Sequence, residues 1–297
     1  MKSKIQNLAI VGFGQMGAGI AQISAQQGIN VTMIDRDEQA LATGMKYVEK
    51  SVSRVAKKLH KNDLYAANNF KNSLLKKISI TTDLEKGTGE QDLVIEAIIE
   101  NLKIKQNLFQ KIDKISNKKT IFASNTSSLS IREIAESVSD DRKTKFGGLH
   151  FFNPVPMMKL LEVVKVDDMT STETFEILEN YGKFIGQTTV KCSDTPGFLV
   201  NRLLVPYMFE AVRLHERGHG SIKDIDIAMK LGAGHPMGPF ELMDYTGFDT
   251  GKSVVDGWRE KDPENQLWEA SPLINKLVSE GKVGIKAGEG FYDYKKK

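Results

Sequence analysis

Of the five histidines in the chain, His150 ends a β-type run, Lys145 to Phe151, and enters Phe151-Phe152-Asn153-Pro154-Val155-Pro156. Glu162 follows twelve residues later inside Leu160-Leu161-Glu162-Val163-Val164, an apolar run in which an unpaired carboxylate would be costly. If the prolines turn the chain so that the two runs lie side by side, the two side chains meet. Such a pair performs proton transfer: a neutral imidazole removes a hydroxyl proton, and the carboxylate fixes the ring tautomer and stabilises the imidazolium. The alternative is a core histidine with its hydrogen bonds satisfied, which gives the embedded glutamate no chemical task.

A second constellation stands near the N-terminus. Gly12-Phe13-Gly14-Gln15-Met16-Gly17 follows an apolar run and opens an amphipathic one. In that context Gly12 permits a tight turn, Gly14 lets the backbone approach a pyrophosphate, and Gly17 lets a helix pack closely on a strand. Asp35, twenty-three residues after Gly12, is near the spacing of a carboxylate that binds adenine ribose hydroxyls. It would repel a 2′-phosphate and so favours NAD over NADP, a preference that Arg36 tempers. Otherwise the glycines form a structural turn and Asp35 caps the next helix.

These residues require a scaffold. Ile5–Val11 and Asn30–Ile34 read as strands joined by a helix over Met16–Gln27 that Gly28 ends. Further strands are expected at Lys77–Thr81, Asp92–Ala97, Thr120–Ser124, Lys145–Phe151, Lys159–Val166 and Thr188–Lys191. Helices are expected over Asp37–His60, Leu102–Ile115 and Thr172–Phe184. The alternation predicts an α/β domain, a Rossmann-type, mostly parallel sheet over residues 1–192 with helices on both faces. From residue 193 the β-type runs stop and an all-helical domain, 193–297, is expected. There Phe198–Arg217 reads as a long helix buried through Phe198, Leu199, Leu203, Leu204, Met208 and Val212. Ser221 with Asp224 resembles a capping box, and Pro239 and Pro272 sit at helix starts. The three terminal lysines, 295 to 297, are expected to fray.

The 297 residues are 40% hydrophobic and 27% charged, with 41 basic and 38 acidic side chains and a net charge of +3. That balance excludes disordered and collagen-like readings and is too weakly basic to imply nucleic acid. A single cysteine, Cys192, rules out an intrachain disulfide and a cysteine-based metal site. The other histidines carry no third ligand, so no metal is expected. With no membrane span or leader pattern at the N-terminus, the chain reads as cytoplasmic.

The segments GFGQMGAGIAQ, EAIIENLKIK, SNTSSL, LHFFNPVPMMKLLEVV, DTPGFLVNRLLVPY, KLGAGHPMGPFELMDYTG and KAGEGFYDY resemble, in order and spacing, the L-3-hydroxyacyl-CoA dehydrogenase family, including its 3-hydroxybutyryl-CoA members. The likeness spans essentially the whole chain. It implies that His150 is the catalytic acid/base and Glu162 its orienting carboxylate. It places Ser127 where the family's serine contacts substrate and nicotinamide, and Asn201 where its asparagine contacts the reacting oxygen. Gly12, Gly14, Gln15, Met16, Gly17 and Asp35 would hold the NAD adenosine half, and Glu100, Lys105, Ser127, Asn153 and Lys286 the nicotinamide half. Without the resemblance, Ser127 reads equally well as a turn or helix N-cap before Leu129.

Lys46, Lys50, Arg54, Lys57, Lys58 and Lys61 recur at steps of three or four and would line one helix face. A solvated face is the simple reading. The 3′-phosphate and diphosphate of coenzyme A suit such a stripe, and the resemblance implies CoA contacts at Ser51 and Lys58 and a homodimer through the helical domain. The implied activity is NAD-dependent oxidation of (S)-3-hydroxyacyl-CoA to 3-ketoacyl-CoA. The competing readings are a dehydrogenase of a free hydroxy or sugar acid on the same scaffold, and a non-catalytic NAD-binding protein.

Overall fold

A computed structural model describes residues 4–269 and 271–295. The chain divides into two compact units, Met1–Phe198 and Leu199–Lys297.

In the first unit eight strands form one sheet: β1 Asn7–Val11, β2 Asn30–Ile34, β3 Ile78–Thr81, β4 Leu93–Glu96, β5 Ile121–Ser124, β6 Phe146–Phe151, β7 Leu160–Lys165 and β8 Thr188–Ser193. Their order is β3-β2-β1-β4-β5-β6-β7-β8, and every neighbouring pair is parallel except β6–β7. The expected mostly parallel sheet is therefore present. The chain winds one way from β1 to β3 and the other way from β4 onward, so the switch point lies between β1 and β4, where open α/β sheets take up ligands at the strands' carboxyl ends. The helices are α1 Gln15–Gln26, α2 Glu38–Leu59, α3 Leu64–Leu75, α4 Leu84–Thr88, α5 Leu102–Ile115, α6 Ile131–Ala135, α7 Asp140–Lys143 and α8 Thr172–Phe184.

The strands are apolar at consecutive positions because both faces are covered. On β1, Leu8 and Ile10 join one core with Ile20 of α1, Val48 of α2 and Leu178 of α8. Ala9 and Val11 join the other, with Phe109 and Ile112 of α5 and Ile131 of α6. The same alternation places Val94, Phe122, Phe146 and Val164 of β4 to β7 on the second face. Successive strand side chains point to opposite faces, so Glu96, Ser124, His150 and Glu162 share that face.

The second unit contains α9 Val200–Glu216, α10 Ile222–Gly232, α11 Pro239–Thr246, α12 Phe248–Lys261 and α13 Pro272–Ser279 around Met208, Phe209, Phe240, Trp258 and Trp268. Pro239 and Pro272 start their helices as expected. Ser221 caps α10 by accepting from the Asp224 N–H, but the Asp224 carboxylate takes the serine hydroxyl, so the box is not reciprocal. Two isolated bridges, Gly284 with Glu289 and Glu289 with Asp293, correct the expectation that pairing ends at Cys192.

Two further expectations are corrected. Phe198 does not begin the long helix: Gly197 at φ 81° and Phe198 at φ 50° reverse the chain, and the Phe198 ring is buried in the first unit. Leu199 and Leu203 are exposed, Leu203 at 74%, while Val205, Met208, Phe209, Ala211 and Val212 carry the buried face of α9. Of the terminal lysines expected to fray, Lys295 pairs with Glu289 at 2.5 Å, and Lys296 and Lys297 lie outside the described residues.

Candidate active site

The antiparallel register of β6 and β7 sets His150 directly opposite Glu162. The imidazole Nδ1 lies 2.6 Å from Glu162 Oε2, and both residues are buried. A carboxylate can only accept, so Nδ1 carries the proton and Nε2 presents its lone pair. Ser127 Oγ stands 3.0 Å from that Nε2. The rings of Phe152 and Phe198 flank the imidazole, with centroids 4.5 and 5.4 Å away. Ser127, His150 and Glu162 thus form a continuous chain of polar groups in an apolar wall, an arrangement suited to moving one proton at Nε2.

Ser127 caps no helix here; Ser130 does so for α6 by accepting from the Glu133 N–H. Its segment is held by Glu100 instead. A single oxygen, Oε1, accepts from Thr126 Oγ1 at 2.5 Å, the N–H groups of Ser127 and Ser128 at 3.0 and 3.1 Å, and Ser128 Oγ at 3.0 Å. Oε2 faces Lys105 Nζ at 3.2 Å. Burial pushes the Glu100 carboxyl up, but the Lys105 ammonium, the Thr126 hydroxyl and the Ser127 N–H together hold it below the ordinary carboxylate range. Lys105 itself, on α5, is 1% exposed and bound to Glu96 at 2.5 Å.

Glu96 is a residue the sequence reading missed. It is fully buried at the carboxyl end of β4 and accepts from Lys105, from Ser124 Oγ at 2.6 Å and from the Ile98 N–H at 2.7 Å. The signal was available, since Leu93-Val94-Ile95-Glu96 places an acid in an apolar run as Glu162 does.

The glycine turn has the geometry a dinucleotide needs. Gly12 has φ 105°, and a Cβ there would stand 2.5 Å from the Ala97 carbonyl oxygen; a Cβ on Gly17 would stand 1.9 Å from that of Gly12. Gly14 differs: a Cβ would meet nothing within 4 Å, and no side chain caps α1. The first-turn N–H groups beside Gly14, Gln15 and Met16 therefore open onto space that an anionic pyrophosphate fits. Asp35 caps no helix, because Asp37 caps α2. It accepts the Phe13 N–H at 2.7 Å and the Arg36 N–H at 2.7 Å, which steers the carboxylate toward the turn and leaves lone pairs for hydroxyl donors. The residues fit the group.

The remaining candidates lie on other elements. Asn153 is exposed in the segment after β6, and Ser51 and exposed Lys58 lie on α2. Five cations of the expected stripe, Lys46, Lys50, Arg54, Lys57 and Lys58, are exposed on α2, but the sixth, Lys61, lies beyond the end of that helix at Leu59. Asn201 is in the first turn of α9, and Lys286 pairs with Asp249 at 2.7 Å; both belong to the second unit. Burial and the charges of Glu162 and Asp194 push the Cys192 thiol up to about 12, so it stays protonated and inert. Among the described residues no helix is long and apolar enough to cross a membrane, and no cluster of three His, Cys, Asp or Glu side chains could hold a metal.

Residues 7–195 match the family description "3-hydroxyacyl-CoA dehydrogenase, NAD binding domain", and residues 197–294 match "3-hydroxyacyl-CoA dehydrogenase, C-terminal domain". The chain belongs to the 3-hydroxyacyl-CoA dehydrogenase family. It is 54% identical to a rat protein named hydroxyacyl-coenzyme A dehydrogenase, mitochondrial, over 99% of this chain and 93% of that one. It is 39% identical to a probable 3-hydroxybutyryl-CoA dehydrogenase of Deinococcus radiodurans, over 96% and 99% of the two chains. Among solved structures, that of (S)-3-hydroxybutyryl-CoA dehydrogenase from Ralstonia eutropha superposes with a TM-score of 0.90 at 36% identity, covering 98% of this chain and 99% of the other. As a member of this family the chain has an NAD-binding unit, and the match covers the sheet and its glycine turn.

Proposed function

We propose that the protein interconverts (S)-3-hydroxyacyl-CoA and 3-ketoacyl-CoA, with 3-hydroxybutyryl-CoA and acetoacetyl-CoA among its substrates, and that His150 is its acid/base. The observation that carries this reading is the Ser127–His150–Glu162 chain at the carboxyl ends of β5 and β6. Related proteins named for this activity support it.

In the oxidising direction, His150 Nε2 takes the 3-hydroxyl proton; in the reducing direction it returns it. Nδ1 keeps its own proton, donated to Glu162, and the carboxylate stabilises the imidazolium while the extra proton is held. Ser127 bridges the substrate oxygen and the imidazole, and Asn201 donates to the same oxygen. Gly12 to Gly17 and Asp35 would hold the dinucleotide, which would supply the hydride acceptor or donor for this reaction. Glu100, Asn153 and Lys286 serve the nicotinamide half of the site, whereas Lys105 is enclosed at 1% exposure and bound to Glu96.

Ser51 and Lys58 bind the CoA phosphates. Seven residues apart on one continuous helix, they differ by nearly two full turns and so share a face. The protein forms a homodimer through the second unit, a reading favoured by the exposed apolar side chains there, Leu203 at 74% and Leu231 at 84%. The mildly basic charge gives no footprint for nucleic acid. A reducing compartment suits the buried thiol of Cys192, and the cytoplasm is the placement we propose; the rat relative's mitochondrial name is the competing one, and cell fractionation decides between them.

The test follows NADH oxidation with acetoacetyl-CoA and with acetoacetate at equal concentrations. Turnover of the thioester alone is the expected result. Preference for the free acid would replace this reading with a hydroxy-acid dehydrogenase, and turnover of neither would leave an NAD-binding protein without this activity.

A further inference from the structure

The buried ion pair beneath the Ser127 segment has no task in the chemistry above. Glu96 and Lys105 lie 2.5 Å apart, fully buried and 1% exposed. Replacing such a pair by apolar side chains of similar volume is often neutral or stabilising, so stability alone is a poor reason for placing two charges there. Their connections suggest another. Lys105 bridges Glu96 to Glu100 Oε2 at 3.2 Å, and Glu100 Oε1 gathers four donors from Thr126, Ser127 and Ser128. From the other side, Glu96 Oε2 accepts Ser124 Oγ, which in turn accepts the Thr126 N–H at 3.2 Å. Both routes end on the segment that places Ser127 Oγ 3.0 Å from His150 Nε2.

We infer that Glu96 and Lys105 are positioning residues: the pair fixes the Glu100 carboxylate, Glu100 fixes residues 126–128, and the Ser127 hydroxyl is thereby held against the acid/base. Lys105 then acts through Glu100 rather than as a contact of the nicotinamide half. The inference rests on the proposed roles of Ser127 and His150.

The experiment measures kcat for acetoacetyl-CoA reduction at saturating NADH, together with the NADH Kd by fluorescence titration, for Lys105→Met, Glu96→Gln, Ser127→Ala and the double variant Lys105→Met with Ser127→Ala. Misplacing a group that orients a reacting residue costs about 10- to 100-fold. Lys105→Met is expected to lose about that much in kcat while its NADH Kd stays within about twofold. In the Ser127→Ala background the same substitution should cost no more than about twofold, because residues acting as one unit are not additive. Glu96→Gln keeps the shape and all but one charge; it should move kcat in the same direction, and it carries the test if Lys105→Met does not fold.

An equal loss with and without Ser127 would overturn the relay, because a merely structural defect is indifferent to that hydroxyl. A tenfold weaker NADH Kd with kcat intact would also overturn it and make Lys105 a nucleotide contact. If Ser127→Ala turns over at the wild-type rate, the reading of Ser127 fails and the relay with it. An impaired Ser127→Ala beside an unimpaired Lys105→Met removes the relay alone.

Discussion

Ser127 and His150 reach one another from different strands, the serine beyond the end of β5 and the histidine near the end of β6, with their polar atoms 3.0 Å apart. The imidazole is thereby held at both nitrogens, by Glu162 on one side and Ser127 on the other. A ring fixed in this way can take up and release a proton without turning, which underlies the first two predictions.

His150→Gln removes the acid/base but leaves the glycine turn untouched. We expect kcat to fall by about 10²- to 10⁴-fold, with NADH affinity unchanged. Stopped-flow hydride transfer and a separate NADH titration check the two halves of this statement.

Glu162→Gln keeps the volume of the side chain and removes its charge. The imidazolium loses its counter-charge, so kcat should fall by about 10- to 100-fold with little change in KM.

Asp35→Asn tests the ribose contact. NADH affinity should weaken by about 10-fold, the magnitude of one charge-assisted hydrogen bond, and NADPH should gain relative to NADH once the repulsion is gone. An unchanged ratio of the two kcat/KM values would remove Asp35 from the site.

Lys58→Glu reverses one charge of the α2 stripe at an exposed position. The KM for acetoacetyl-CoA should rise several-fold, more at low than at high salt, and kcat should hold. A KM equal to wild type would assign the stripe to solvent.

The Glu100 carboxyl is held below its ordinary value of 4.5. Its folded-state pKa is therefore depressed, so its stabilisation is present in full above about pH 4.5 and is lost as the pH falls through the folded value. The Tm difference between wild type and Glu100→Gln should be constant in neutral and mildly acid buffer and should close at lower pH.

The site was legible wherever one residue type sat in the wrong company. Glu162 stood out as an acid among valines and leucines, and the glycines stood out by their spacing. Glu96 carries the same mark, an acid closing the apolar run Leu93-Val94-Ile95, but its partner Lys105 lies on the following helix and nothing in the strand pattern points to it. Lys105 could not be read as buried: lysine on an amphipathic helix is normally at the surface, and only the packing of α5 over β4 encloses it. Glu100 was placed through the resemblance alone, since its hold on residues 126–128 depends on bringing the ends of β4 and β5 together.

The fold divides in the same way. Long periodic segments were found to within one or two residues. The short helices α4, α6 and α7 are too brief for periodicity and depend on local turn geometry, with side-chain caps at Asp83 and Ser130. The sequence expectations include no element over residues 64–75, where Asp63 caps α3 and Leu64, Ala67, Phe70 and Leu74 recur at helical spacing. Phe198 misled because its apolar side chain continues the pattern of α9, whereas its backbone turns away from helical geometry.

After β6 the chain doubles straight back into β7, where a crossover helix would keep the sheet parallel. The connection, residues 152–159, consequently returns over the same end of the sheet as the acid/base and carries the exposed Met157 and Met158. Lengthening or trimming that stretch would alter what can approach His150 while the paired strands keep its ring aimed. Specificity and catalysis can in that way diverge within a dozen consecutive residues.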